Sequence, residues 1–242
     1  MSQVAGLHAV AALLAESPER VRVLHVQRGR RDQRVSEVIS AARANGIRVE
    51  FAERQWLDGR VDGRHQGVVA DCHDLALADE KELEARWADF APPVLLLALD
   101  GVTDPRNLGA CLRSANAAGV DAVLLPRRNS APLNEAALKA AAGGAEGLLI
   151  VEVANLARRL EWLKERGVWV IGTDGDGDTP FTAADFAANC IIVMGSEGEG
   201  MRALTRKLCD WVVRIPMQGS VSSLNVSVAA GVLLFEAVRQ RG

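Results

Sequence analysis

From residue 94 onward, strand-length apolar runs and helical segments take turns along the chain, and this alternation limits the fold more than any other feature. The runs are VLLLAL at 94–99, AVLL at 122–125, LLIV at 148–151, VWVI at 168–171, IIVM at 191–194 and WVVRI at 211–215. Helical spacing marks residues 108–118, 155–166, 202–209 and 223–239. Strands that are apolar on both faces must be covered on both faces, and intervening helices supply the cover. The expected class is therefore α/β, with a mainly parallel sheet that begins as a βαβ unit over 94–125.

The first part of the chain reads as a smaller unit of the same class. Helix is expected over 6–15, strand over 21–26, helix over 35–44 ending at Gly46, strand over 47–51 and a short strand over 67–70. About 70 residues lies near the lower limit for a domain with its own core. An acidic stretch, 71–89, and then Pro92-Pro93 follow it. The organisation expected is a domain over 1–71, a linker over 72–93 and a domain over 94–242.

Charge is unevenly spread. The net charge of −3 over 242 residues conceals 11 Arg against 8 acidic residues in 1–70, and 7 acidic against 2 basic residues in 71–90. Six Arg fall within 20–34, opposed only by Asp32, so an acidic chain carries a basic N-terminal face suited to nucleic acid. A solvated charged surface is the competing explanation. Four cysteines without a CxxC pair, Cys72, Cys111, Cys190 and Cys209, give no metal framework and fit a reducing compartment. No apolar run approaches the ~20 residues that span a bilayer. The start, MSQVAGLHAV, lacks the basic and apolar regions of a signal peptide. A cytoplasmic protein with no metal and no membrane contact is expected.

Ligands of parallel α/β sheets bind at loops leaving the carboxyl ends of strands. Three such loops combine glycine with polar groups: DGVTDPRN at 100–107, GSEGEGM at 195–201 and PMQGSVSSLN at 216–225. None has the spacing of a dinucleotide-binding GxGxxG, and GxxxxGK[ST] and GxSxG are absent. The four histidines, His8, His25, His65 and His73, all precede residue 94, so chemistry in the second domain must use Arg, Glu, Asn and Ser. The Asp/Gly-rich loop 174–178 begins like a calcium loop. It has Thr179 where the tight turn needs Gly and Asp185 where a bidentate Glu belongs, so it reads as a solvated loop.

Taken in order, NLGACLRSANAAGV, IVMGSEGEGM and IPMQGSVSSLNVSVAAGVLLFEAVRQ resemble the three motifs of the SpoU (TrmH-like) branch of the SPOUT RNA methyltransferases. DGVTDPRNLGACLRSA, the GLHAV start, HQG at 65–67 and GSVSSLNVSVA further resemble the bacterial 23S rRNA guanosine 2′-O-methyltransferases of that branch. The resemblance implies a ribosomal-protein-like, RNA-binding first domain and a second domain with a deep trefoil knot. It also implies a homodimer and S-adenosylmethionine-dependent methylation of a ribose 2′-hydroxyl in 23S rRNA, in the peptidyl-tRNA-binding loop. Carried over by motif position, the catalytic set is Asn107, Arg113, Glu197, Ser223 and Asn225. The cofactor set is Gly195, Ile215 and Leu224, with Thr173 added from the end of its strand.

Arg113 is the family's proposed proton acceptor, yet a guanidinium with a pKa above ~12 is a poor base, so a role on phosphate or developing alkoxide suits it better. Asn107 and Asn225 are equally placed to cap helices. Glu197 is equally an acid favoured by the start of a helix. The apolar stripe of the last helix is core or dimer face. Arg28, Arg30, Arg31 and His65 are the RNA-contact candidates of the first domain. A tRNA substrate, or a non-catalytic role in ribosome assembly, are the competing functions.

Overall fold

The computed structural model describes residues 2–30, 32–61, 64–196, 198 and 200–242. The chain divides into two compact units, one running to Ala76 and including Ala142–Gly147, the other Leu77–Ala141 and Leu148–Gly242.

The first unit contains β1 (Ser2–Ala5), α1 (Leu7–Glu16), β2 (Val21–Gln27), α2 (Gln33–Ala44), β3 (Arg48–Ala52), α3 (Arg54–Asp58) and β4 (Val68–Cys72). Its sheet runs β1-β4-β2-β3, with β3 parallel to β2 and the other pairs antiparallel. Spacings of three and four bring Leu7, Val10 and Leu14 of α1 onto one face, where they share a core with Val35, Val38 and Ala42 of α2. Asp32 caps α2 by accepting the Val35 amide at 3.2 Å. Within this unit Arg20 forms a buried ion pair with Glu146 and donates to the His73 carbonyl at 3.1 Å. The strand β1 and the five-residue α3 are too short to show a period, and both are additions to the sequence reading.

The second unit begins with α4 (Glu80–Arg86). The sequence placed these residues in a linker, but Leu83 is fully buried and belongs to the same core as Val151 of the large sheet. Asp79 caps the helix through the Lys81 and Glu82 amides, both at 2.9 Å. One apolar side chain at the right turn thus docks an otherwise charged helix.

There follow β5 (Leu95–Leu99), α5 (Pro105–Ala117), β6 (Ala122–Pro126), α6 (Glu135–Ala141), β7 (Leu149–Val153), α7 (Leu156–Lys164) and β8 (Trp169–Thr173). The chain ends with the two-residue β9 (Thr179–Pro180), β10 (Cys190–Met194), α8 (Ala203–Leu208), β11 (Trp211–Arg214) and α9 (Val226–Arg241). All seven strands pair in parallel in the order β7-β6-β5-β10-β8-β11-β9. Every residue of β5, β6 and β10 is buried, as their uninterrupted apolar runs require. Two features of this order position the site. First, β10 enters between β5 and β8, so the loops leaving β8 and β10 lie side by side. Second, the chain leaving β11 returns across those loops to α9, which packs on α5. No helix among the described residues is long and apolar enough to cross a membrane.

Candidate active site

The loops leaving β8, β10 and β11 enclose a cavity of about 500 Å³, within the usual ~300–1,000 Å³ of small-ligand sites. Met194, Val213, Ile215, Leu224 and Ala229 give it apolar walls. Thr173, Asp174, Asp176, Ser222, Ser223 and Asn225 supply polar atoms. Among the described lining residues there is no Lys, Arg or His, and the charged ones are the two aspartates. That charge balance opposes a polyphosphate and favours a nucleoside-sized ligand with a cationic centre.

The β10–α8 loop folds back on itself. Ser196 and Gly200 exchange backbone hydrogen bonds of 2.9 and 3.2 Å, and the Ser196 hydroxyl also donates to the Gly200 carbonyl at 3.2 Å. Gly195 is buried, and a Cβ there would overlap the Gly200 carbonyl and the Met201 amide, so only glycine permits this closure. Asp100, at the end of β5, holds both ends of the loop. Its amide donates to the Met194 carbonyl at 2.7 Å, and its Oδ2 accepts the Arg202 amide at 3.2 Å.

All four residues carried over as cofactor contacts, Thr173, Gly195, Ile215 and Leu224, line this cavity. The Thr173 hydroxyl donates to the Val193 carbonyl at 3.2 Å. Of the catalytic candidates, Ser223 and Asn225 line it as well. Asn107 does not, but its Oδ1 accepts from Asn225 Nδ2 at 3.0 Å, which joins the first motif to the third. Arg113 stands exposed on α5, outside the described lining and without an ion pair among the described residues. Glu197 lies outside the described residues.

The N-terminal candidates separate. Arg28 is exposed and stands 3.6 Å from Glu53. Arg30 is engaged locally, by Asp32 at 2.6 Å and by the Gln66 carbonyl. Arg31 lies outside the described residues. His65 is buried, with Nε2 2.9 Å from Asp58 and Nδ1 accepting the Gly67 amide at 3.0 Å. Both ring nitrogens are therefore used inside the fold, where they shape the His65 loop.

Sequence reasoning missed Asp174 and Asp176. They sit in the loop that was read as solvated, yet both face the cavity, and Asp174 is ion-paired with Arg206 of α8. The available signal was positional, since this loop leaves the carboxyl end of a parallel strand.

The parallel α/β unit whose β8, β10 and β11 loops line one pocket is the part of the chain, residues 94–235, that matches the SpoU rRNA Methylase family. The chain belongs to that family. Residues 3–78 match a second family described as RNA 2′-O ribose methyltransferase substrate binding. At full length the chain is 50% identical over 241 residues to the 23S rRNA (guanosine-2′-O-)-methyltransferase RlmB of Pseudomonas syringae pv. tomato, covering 100% of this chain and 96% of that protein. It is 49% identical over 237 residues to the RlmB of Escherichia coli K12, covering 98% and 97%. The crystal structure of the SpoU methyltransferase AviRb from Streptomyces viridochromogenes in complex with AdoMet superposes with a TM-score of 0.79 at 26% identity, covering 99% of this chain and 90% of that one.

Proposed function

We propose that this protein transfers the methyl group of S-adenosylmethionine to the ribose 2′-hydroxyl of a guanosine in 23S rRNA. The observation that carries the reading is one cavity lined by the second and third motifs, with the first tied to the third through Asn107 and Asn225, together with likeness to RlmB proteins over 98–100% of the chain at about half identity. The cavity's size, its apolar walls and the aspartates on its rim fit the cofactor. When bound, S-adenosylmethionine supplies a methyl group on a cationic sulfonium that is open to in-line displacement.

The chain's own groups act on the other reactant. Asn225 is held by Asn107 and by the start of α9, so its amide presents a fixed edge to an incoming ribose. Ser223 adds a hydroxyl at the exposed rim. Orientation of this kind supplies up to ~7–11 kcal/mol in favourable cases. Arg113 serves to hold the target phosphate or the developing alkoxide. The loop leaving β11 threads back over the pocket as a trefoil knot, and the first unit binds the RNA. The protein works in the cytoplasm, as a homodimer. What supports the dimer is α9, which exposes Val228, Phe235 and Val238 along one stripe, with Phe235 52% exposed.

Labelled methyl transfer from S-adenosylmethionine to a 23S domain V fragment, bulk tRNA and 16S rRNA tests the reading. Label confined to 2′-O-methylguanosine of the 23S fragment supports it. Label in tRNA overturns the substrate, and the absence of both label and cofactor binding points to a non-catalytic assembly factor. Arg113→Ala should lose at least about 100-fold in rate if the arginine stabilises the transition state. An unchanged rate removes it from the catalytic set.

A further inference from the structure

Above the carboxyl ends of β5 and β6 lies a group of charged side chains that does not line the pocket and has been given no catalytic or cofactor role. Asp100 is 1% exposed, and its Oδ1 has no hydrogen-bond partner among the described residues. A buried carboxylate needs a compensating cation. The cation here is Arg202, the residue before α8, whose Nε stands 3.4 Å from that oxygen. Although its partner is fully buried, the Arg202 side chain is 46% exposed. The acid therefore grips the guanidinium from beneath and leaves its outer edge facing solvent. Nη2 reaches the Arg128 carbonyl at 3.4 Å, across the end of β5 to the loop leaving β6. Arg128 is itself exposed and makes no ion pair among the described residues. The loop is braced further on, where the Ala131 amide donates to the Val102 carbonyl at 2.7 Å.

We propose that Arg202 and Arg128 form a clamp for a backbone phosphate of the substrate RNA, next to the target nucleotide. A planar guanidinium presents paired N–H groups that match phosphate oxygens, and a buried acid fixing one edge lowers the cost of orienting the other. Adjacent strands are about 4.8 Å apart, so β6 lies roughly 10 Å from β10 and its glycine loop. That places the clamp within a nucleotide or two of the ribose being methylated. The chain as a whole is acidic, so phosphate must be met by local cations of this kind. The clamp rests on the reading of RNA as substrate. Neither arginine lines the cavity, which separates it from a role on the cofactor's carboxylate.

The test measures binding of the 23S domain V fragment by fluorescence anisotropy over a range of salt, with S-adenosylmethionine affinity taken by calorimetry on the same samples. Arg128→Ala removes a side chain with no ion pair to break. Arg202→Gln removes the charge while keeping a donor for the Asp100 carboxylate and leaving Asp100 itself untouched, and Arg202→Lys keeps the charge but not the fork. Arg128→Ala and Arg202→Gln should each weaken RNA binding about tenfold. Each should also flatten the slope of log affinity against log salt by roughly 0.7–0.9. Cofactor affinity should hold within twofold, and Arg202→Lys should recover the salt slope but only part of the affinity. RNA affinity and slope unchanged in both variants would overturn the clamp while leaving the substrate reading intact. A loss of cofactor affinity with RNA binding retained would assign the arginines to the cofactor instead. If the wild-type protein itself fails to bind the fragment, the substrate reading falls and the clamp falls with it.

Discussion

Asn225 Nδ2 donates to Asn107 Oδ1 at 3.0 Å across 118 positions of sequence, while Asn225 Oδ1 accepts from the Ser227 amide at 3.0 Å and the Ser227 hydroxyl at 2.6 Å. One amide thus starts α9 with its oxygen and ties it to the first turn of α5 with its nitrogen. The two roles can be separated. Asp at 225 still caps but has no donor for Asn107, so Asn225→Asp should keep thermal stability while losing at least about tenfold in methyl transfer. Asn225→Ala should lose both, with about 1 kcal/mol of stability gone with the cap. Thermal melts beside single-turnover rates decide it. Wild-type rate and stability in Asn225→Asp would make the residue merely a cap.

Gly195 offers a sharper test of the pocket. A Cβ at this position has no room between β10 and the returning Gly200 and Met201 backbone. Overpacking of this kind typically costs about 1–3 kcal/mol, and here the flexible side of the contact is the loop, since β10 is wholly buried. Gly195→Ala should therefore leave the circular dichroism spectrum unchanged and weaken S-adenosylmethionine by about tenfold or more. Calorimetric titration giving wild-type affinity would show that the loop does not form the cofactor wall.

The strands were legible because β5, β6 and β10 are covered on both faces and so must be apolar throughout. Their order was not. Nothing local in CIIVM says that it enters between β5 and β8, and that insertion is what brings the Asp174 loop beside Gly200. For the same reason nothing local in the Asp- and Gly-rich loop, whose Gly175, Asp176 and Asp178 are exposed, says that it borders the pocket. Leu83 was overlooked among acidic neighbours, since one buried residue makes no period. That His65 is packed against Asp58 was not legible either, because the two are joined by a loop that composition alone describes as basic and polar.

Gly109 lies in the middle of α5, where helix propensity disfavours glycine. Its hydrogen faces the Ala137 carbonyl and the Ala140 methyl of α6, and a Cβ there would overlap both. The two helices are in contact along backbone, which small residues alone allow. Gly109→Ala gains about 1 kcal/mol of helix propensity on paper but should destabilise the second unit by about 1–3 kcal/mol net. Denaturant midpoints read this directly. A stabilised variant would mean that α6 shifts freely and does not hold α5 in place.

Asp71 makes the first unit sensitive to acid. Burial by itself pushes its carboxyl pKa up, but hydrogen bonds from Arg60, His25 and Gln3 together outweigh burial and hold it below the ordinary carboxylate value. Gln3 stands at 3.0 Å and His25 Nε2 at 3.0 Å, tying β1 and β2 to the β4 position that carries the acid. A depressed pKa in the folded state means that the unfolded chain binds more protons, so stability rises with pH across the interval between the two values. The contribution is complete above the unfolded pKa of about 3.9 and disappears as pH falls through the lower folded value. Asp71→Asn retains an acceptor for the three donors but cannot titrate. It should lower stability at pH 7, where the charged interactions with Arg60 are lost, and should show a shallower decline below about pH 4 than wild type. Hydrogen exchange of the β2 and β4 amides reports this unit specifically. Parallel declines in the two proteins would show that the acid sensitivity resides elsewhere.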